Sequence, residues 1–296
     1  IEFSASFDIS ANMAGLSKDP FAAPDRVELR TLAQLAQRGD WQLDLLHDRS
    51  HHLIIWITRG QGLALLDGVR RGMGTHNVLF VPAGTTLALE LGRPGFGQAL
   101  VIPDATELRL PGQAHHLRIR DVTAQSELTA LFEALHREQT NARPLLSEAM
   151  EAQTALVSVW LRRQLALDEH TPKPLKAANR LSRAMCRRIA QEFRSGAPMA
   201  DYASALGVTP THLTRACKAS TGKTAADLLT DRTLYEARHL LTFSDVQVQD
   251  IARYLGFGSA AYFTRFMQHH TRHSPTELRK LKPAKGAAPS AGTLRA

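Results

Sequence analysis

Two arginines, each directly after a threonine, occupy matching places in a repeated pattern. The first copy is YASALGVTPTHLTRACK (Tyr202–Lys218), and the second is IARYLGFGSAAYFTRFMQ (Ile251–Gln268). Ala203 aligns with Ala252, Leu206 with Leu255, Gly207 with Gly256, and Leu213–Arg215 with Phe263–Arg265. A guanidinium can grip guanine O6 and N7 through two hydrogen bonds, and threonine or alanine can pack on a thymine methyl. The chemistry on offer is therefore recognition of a nucleic acid duplex. Charge points the same way. The chain has a net charge of +8, but residues 1–175 hold 17 Lys/Arg against 20 Asp/Glu, a net −3, while residues 176–296 hold 19 against 8, a net +11. Only the second part has the balance expected of a domain that meets a polyanion.

A second set of residues could do metal chemistry. His47, His51 and His52 lie close together near the end of an apolar run. A metal site needs three or four such ligands brought together. Here no carboxylate stands at a ligand spacing from them, and AGTTLALEL further on offers no histidine. Surface or hydrogen-bonding imidazoles are expected, with no metal, no cofactor and no catalytic residue. Cys186 and Cys217 have no partner cysteine at a metal-ligand spacing and read as buried thiols in a reducing compartment.

The elements that position these groups follow from periodicity. Residues 1–24 have little pattern and read as a flexible arm. From Val27 to Leu35 a short helix or turn is expected. The runs Trp41–His47, Leu53–Thr58, Gly62–Gly68, Asn77–Pro82, Thr86–Leu91 and Phe96–Ile102 are short, apolar and punctuated by Gly, Pro, Asp and Asn. That texture predicts an antiparallel sandwich or barrel. Within it, His52, Ile54, Trp56 and Thr58 share one face and Leu53, Ile55 and Ile57 the other. Which face points inward stays open. Helical periodicity then takes over, over Ser126–Gln139 and Leu145–Leu167. The apolar stripe of the second helix, with Leu156 and Trp160, predicts that two copies of the chain pack there. The prolines of DEHTPKP (Asp168–Pro174) mark a linker, and residues 282–296, rich in Ala, Gly and Pro, read as a disordered tail.

Each repeat has the features of a helix-turn-helix. Ala203 and Ala252 allow two helices to cross closely. Gly207 and Gly256 supply positive φ in the turn. Thr209 and Ser259 can cap the following helix, and Pro210 suits its first position. Leu206, Val208 and Leu213 are expected to close one small core, and Leu255, Phe257 and Phe263 the other. Between them, Thr224–Leu241 reads as a long helix with Leu228, Leu234, Ala237 and Leu241 on one face. Arg272 stands where the first copy has Gly222, so the helix end before Ser274 is less well specified.

From about Leu181 to Arg279 the chain resembles the DNA-binding domain of the AraC/XylS family. The motifs LTRACKASTG, LYEARHLL, IARYLGF, AAYFTRFMQ and SPTELR occur in the family's order. The resemblance implies that the second helix of each unit enters a major groove, in successive grooves about 10 base pairs apart. The base-facing positions it carries over are Thr211, Thr214 and Arg215 in the first unit, and Ala260, Ala261, Tyr262 and Arg265 in the second. Lys218, Arg253 and Thr264 fall to phosphate contacts, which position without specifying. The strand-rich part, through LDLLHDRSHHLIIWITRGQG and HNVLFVPAG, resembles the cupin-like sensor found ahead of that domain in many members. Arg49 occupies the place of a ligand-contacting arginine in the family's namesake sensor, so Arg49, His52 and Trp56 are the candidate effector-binding residues.

The expected fold is α+β: a cupin-like β-barrel with flanking helices, then an all-α domain of two helix-turn-helix units joined by a long helix. The expected boundaries are an arm at 1–24, a sensor at 25–123, dimerisation helices at 124–168, a linker at 169–175, a DNA-binding domain at 176–281 and a tail at 282–296. The expected function is that of a small-molecule-responsive transcriptional activator acting on double-stranded DNA as a homodimer, with RNA polymerase as a partner and no membrane association. Its expected place is the bacterial cytoplasm, on the nucleoid. Two alternatives are a metal-dependent cupin enzyme fused to a DNA-targeting domain, and a ligand-independent DNA-binding protein.

Overall fold

The computed structural model describes residues 25–92, 95–167 and 176–281. The arm expected at 1–24, the linker at 169–175 and the tail at 282–296 lie outside the described residues. The described chain falls into two compact units, residues 25–235 and residues 236–281.

The larger unit begins with strand β1 (Glu28–Thr31) and two helical turns, α1 (Leu32–Leu35) and α2 (Trp41–Asp44). Strands β2 (His51–Arg59), β3 (Gly62–Leu66), β4 (Val69–Met73), β5 (Asn77–Val81), β6 (Leu87–Leu91), β7 (Phe96–Pro103) and β8 (His115–Arg118) follow. They form two antiparallel sheets, ordered β1-β7-β2-β5-β8 and β4-β3-β6. Two long helices, α3 (Val122–Asn141) and α4 (Leu146–Leu165), come next.

The central strand β2 is apolar on both faces, and both are buried. One face settles its orientation. Ile54 and Trp56 join Val78, Phe80, Leu100 and Ile102 in a buried cluster with Leu128, Phe132 and Leu135 of α3 and Trp160 and Leu161 of α4. The helices therefore cover the Ile54–Trp56 face. In the ladder, Leu53, Ile55 and Ile57 of the other face pair with Val81, Leu79 and Asn77 of β5.

Several local expectations change. Trp41–His47 is not a strand: it holds the helical turn α2, and Leu43 and Leu46 are buried as it packs. Gly39, at φ 123°, reverses the chain just before it, and Trp41 Nε1 donates to the Arg38 carbonyl at 3.0 Å, so the segment folds back on itself. Strands β1, β4 and β8 escaped the apolar pattern because they are edge strands with polar sequences, ELRT, VRRGM and HHLR. Edge strands need fewer apolar residues and tolerate charge. Helix α3 begins at Val122 rather than Ser126, because the Asp121 carboxylate caps it by accepting from Ala124 N at 2.8 Å. Trp160 does not belong to a free stripe on α4. It is 4% exposed in the cluster, whereas Leu156 is 55% exposed.

The remaining elements are helices: α5 (Ala177–Glu192), α6 (Met199–Ala205), α7 (Pro210–Thr221), α8 (Ala225–Phe243), α9 (Val248–Tyr254), α10 (Ala260–Thr271) and α11 (Pro275–Lys280). The boundary between the two compact units falls within α8. Among the described residues, no helix is long and apolar enough to cross a membrane.

Candidate nucleic-acid interface

Helices α6 and α7 form the first helix-turn-helix unit. Tyr202, Ala203 and Leu213 are buried between them, while Leu206 and Val208 are half-buried. Gly207 turns the chain at φ 68°, a backbone conformation that costs an L side chain about 1–2 kcal/mol. Thr209 then caps α7 by accepting from His212 N at 3.2 Å, and Pro210 opens the helix. Leu213, Ala216, Cys217 and Ser220 face the core. The opposite face is fixed by helical spacing: Thr211, Arg215 and Lys218 are exposed at i, i+4 and i+7, with Thr214 half-buried beside them.

Helices α9 and α10 repeat the design in the other unit. Ala252, Leu255 and Phe263 are buried, and Phe257 packs edge-on against Phe263 with ring centroids 5.2 Å apart. Gly256 turns at φ 76°, and Ser259 caps α10 by accepting from Tyr262 N at 3.1 Å. Phe263 and Met267 face inward. Ala261, Arg265 and Gln268 are exposed at the same i, i+4 and i+7 places as Thr211, Arg215 and Lys218. Ala260 is half-buried, and Tyr262 is 57% exposed.

The surroundings of these side chains differ. Arg215 has no ion-pair partner among the described residues. The Arg265 guanidinium lies 6.0 Å from the Tyr262 ring. Thr264 turns its hydroxyl back to the Ala260 carbonyl at 2.9 Å, and Arg253 pairs with Asp250 at 3.2 Å. Two of the three groups expected on phosphates, Thr264 and Arg253, are thus already engaged within their own helices.

The three sensor candidates have separate sets of polar partners. Arg49 is buried; its Nε donates to His47 Nε2 at 3.2 Å and its Nη2 to the Gln42 carbonyl at 3.3 Å. His47 is fully buried, with Nδ1 2.8 Å from the Leu45 carbonyl. Burial, followed by the Arg49 charge, holds its pKa well below the usual value, so the neutral ring with its proton on Nδ1 fits both contacts. His52 Nδ1 accepts from Ala83 N at 3.1 Å and its Nε2 sits 3.2 Å from Asp104. Trp56 lies on the helix-covered face, 5.6 Å from the His76 ring, and its indole N–H has no hydrogen-bond partner among the described residues. No group of three or more His, Cys, Asp or Glu among the described residues could hold a metal ion. A cavity of about 240 Å³ lies elsewhere, with a floor of Leu63, Leu65 and Ala88 and with Asp44, Glu90, Arg70 and Lys223 at its walls. Burial, then Asp40 and Glu90, pushes Asp44 up to about 6.

A family model described as a helix-turn-helix domain matches residues 202–281, the stretch that carries both units. Over these residues the chain is similar to helix-turn-helix domains of the AraC/XylS type. The HTH-type transcriptional activator RhaS of Klebsiella pneumoniae is 25% identical over 256 residues, 80% of this chain and 88% of RhaS. An uncharacterised HTH-type transcriptional regulator of Staphylococcus aureus is 29% identical over 100 residues, 34% of this chain, and the match spans only 13% of that relative's length. Among solved structures, fatty-acid-bound ToxT of Vibrio cholerae aligns over 87% of this chain and 96% of its own at 11% identity, with a TM-score of 0.41. The C-terminal domain of AraT from Geobacillus stearothermophilus aligns over 41% of this chain and 98% of its own at 21% identity, with a TM-score of 0.34.

One residue of the AraC/XylS-type domain escaped the sequence reading. Gln268 shares the exposed face of Ala261 and Arg265 and sits where Lys218 sits on α7. Its amide could bridge adenine N6 and N7. The signal was present, since Gln268 follows Arg265 by three residues just as Lys218 follows Arg215.

Proposed function

We propose that this protein is a transcriptional regulator that reads double-stranded DNA with α7 and α10, each entering a major groove. The reading rests on one observation: two capped helices present the same exposed i, i+4, i+7 face, Thr211–Arg215–Lys218 and Ala261–Arg265–Gln268, in the basic part of the chain. Arg215 and Arg265 are assigned to base edges, with Thr211, Thr214, Ala260, Ala261 and Tyr262 beside them. Lys218, Arg253 and Thr264 are assigned to the phosphates.

The finer reading makes the protein a small-molecule-responsive activator, bound as a homodimer and working with RNA polymerase in the bacterial cytoplasm. The name of the RhaS relative supports activation. We assign residues 25–123 to a cupin-like sensor whose two sheets enclose the effector, with Arg49, His52 and Trp56 as its candidate contacts. Residues 124–168 are assigned to dimerisation and residues 176–281 to DNA. Support for the dimer comes from α4, where Ala152 and Leu156 are exposed on one face with Ala149 half-buried beside them, and from the exposed Leu145 that precedes the helix.

The test is a binding-site selection from random duplexes with the wild type and with Arg215→Ala and Arg265→Ala. Each variant should lose preference at its own base pair. A wild type that enriches no sequence would refute the proposal.

A further inference from the structure

The outer face of the three-stranded sheet carries opposite charges at its two edges, with an apolar strip between them. The ladder fixes this layout. Leu63 and Leu65 of β3 lie on the face opposite the buried Ala64 and Leu66. Leu65 pairs with Arg70 of β4 on one side and with Ala88 of β6 on the other, and Leu63 pairs with Glu90 of β6. Arg70 and Glu90 therefore share this face on opposite edge strands, two strands apart across the sheet and two residues apart along it. Strands spaced about 4.8 Å, with a rise of about 3.4 Å per residue, put their Cα atoms roughly 12 Å apart.

Two neighbours turn this face into a cavity. Helix α2 packs on β6 and brings Asp44 close enough to Glu90 for their charges to repel. The end of α7 closes the other side: Gly222 turns the chain at φ 82°, and a Cβ there would lie 3.6 Å from Arg70 Nη1. The space of about 240 Å³ has the volume of about eight waters at about 30 Å³ each, room for a ligand with a similar number of non-hydrogen atoms. Its charges are not balanced locally. Asp44, Glu90 and Arg70 have no ion-pair partner among the described residues, and Lys223 is committed to Asp231 at 2.5 Å. Burial, then Asp40 and Glu90, raises Asp44, as a carboxyl without a counter-ion requires. The acidic end thus lacks a cation and the basic end lacks an anion.

We propose that this cavity binds a small aliphatic amino acid whose ammonium and carboxylate stand at opposite ends of its carbon chain. Asp44 and Glu90 take the ammonium. Arg70 takes the carboxylate, both of whose oxygens fit the planar guanidinium fork. The methylene chain lies on Leu63, Leu65 and Ala88. A simple amine or a simple carboxylic acid satisfies only one end. An α-amino acid carries both charges at one end and reaches one pole at a time. The site is on the outer face of the sheet, apart from the space between the two sheets assigned above to an effector. It is a second site and does not rest on that assignment.

Titration calorimetry of the full chain with 6-aminohexanoate tests this. One molecule should bind per chain, with hexanoate, hexylamine and the isomer L-norleucine each at least about tenfold weaker. Arg70→Gln and Glu90→Gln change exposed side chains, so both variants should unfold at the wild-type temperature without ligand. Each should nevertheless bind 6-aminohexanoate at least about tenfold more weakly than wild type. Arg70→Glu makes both ends acidic and should shift preference to 1,6-diaminohexane. No binding of 6-aminohexanoate at about 10 mM would overturn the proposal. So would binding that Arg70→Gln and Glu90→Gln leave unchanged, which would place the ligand elsewhere, or hexanoate or hexylamine binding as tightly as the amino acid.

Discussion

Arg215 and Arg265 stand at equal places on α7 and α10 but in different company. Arg215 is exposed beside two threonines, and Arg265 lies near an aromatic ring and next to alanines. The first helix can therefore make more directional hydrogen bonds, and the second more methyl and backbone contacts. Arg215→Ala should cost about 1–3 kcal/mol on the selected site and relax one base pair, whereas Lys218→Ala should weaken all sequences alike and reduce the salt slope by about one ion. Titrations at several salt concentrations separate the two. Arg272 raises a different question at this scale. It closes α10 at φ 63° with its N–H donating to the Gln268 carbonyl, so the helix ends in a left-handed residue although the glycine of the first copy is missing. Arg272→Gly should stabilise the protein by about 0.5–1 kcal/mol, because relief of the left-handed strain exceeds the added chain entropy. A lower urea midpoint in that variant would contradict this account.

At the scale of elements, helix α4 has two faces with opposite roles. Trp160, Val157 and Leu161 pack into the cluster under β2, so Trp160→Ala should destabilise by about 3–5 kcal/mol and leave any dimer a secondary casualty. Leu156→Glu with Ala152→Glu touches only the exposed face and should yield folded monomers by light scattering. A variant that stays dimeric would move the interface elsewhere. What the sequence revealed differs by element for physical reasons. The helix-turn-helix units were legible because each part is a local requirement: a glycine for positive φ, a Thr or Ser cap, a proline at the first helical position. The edge strands β1, β4 and β8 were not, since they are short and polar and owe their conformation to a neighbouring ladder. The inward face of β2 was also illegible, because Ile54 and Trp56 and their neighbours Leu53, Ile55 and Ile57 are equally apolar. Only the arrival of α3 and α4 assigns one face. The contacts of Asp48 with Arg232 and of Asp67 with Arg183 span 184 and 116 residues of sequence, and nothing local marks them.

At the scale of the folded chain, buried titrating groups set opposing responses to acid. His116 is held near 4 by burial, then by Arg118 and Arg71, and its Nε2 lies 2.7 Å from Asn77 Oδ1. The fold favours its neutral ring, so its contribution is intact above the ordinary value of 6.5 and is lost as pH falls toward 4. His47, His52 and His115 are displaced the same way, each chiefly by burial. Asp44 acts in the opposite sense. Its folded pKa near 6 lies above the ordinary 3.8, so the fold favours its protonated form and loses stability as pH rises through that interval. Between about pH 4 and 6 the two slopes oppose one another. Asp67 is raised as well, chiefly by burial; four imidazoles act against these two carboxyls, so the wild type should lose stability on acidification from pH 7 to 5. Asp44→Asn removes one of the two opposing slopes. It should be more stable than wild type at pH 7, by on the order of 1 kcal/mol after allowance for solvent at this half-buried site, and the advantage should vanish near pH 4. Its stability should also fall more steeply with acid than that of the wild type. Urea unfolding at intervals from pH 4 to 8 checks both curves. A gain from Asp44→Asn that grows rather than shrinks on acidification would show that Asp44 is ionised and favourably paired in the native fold.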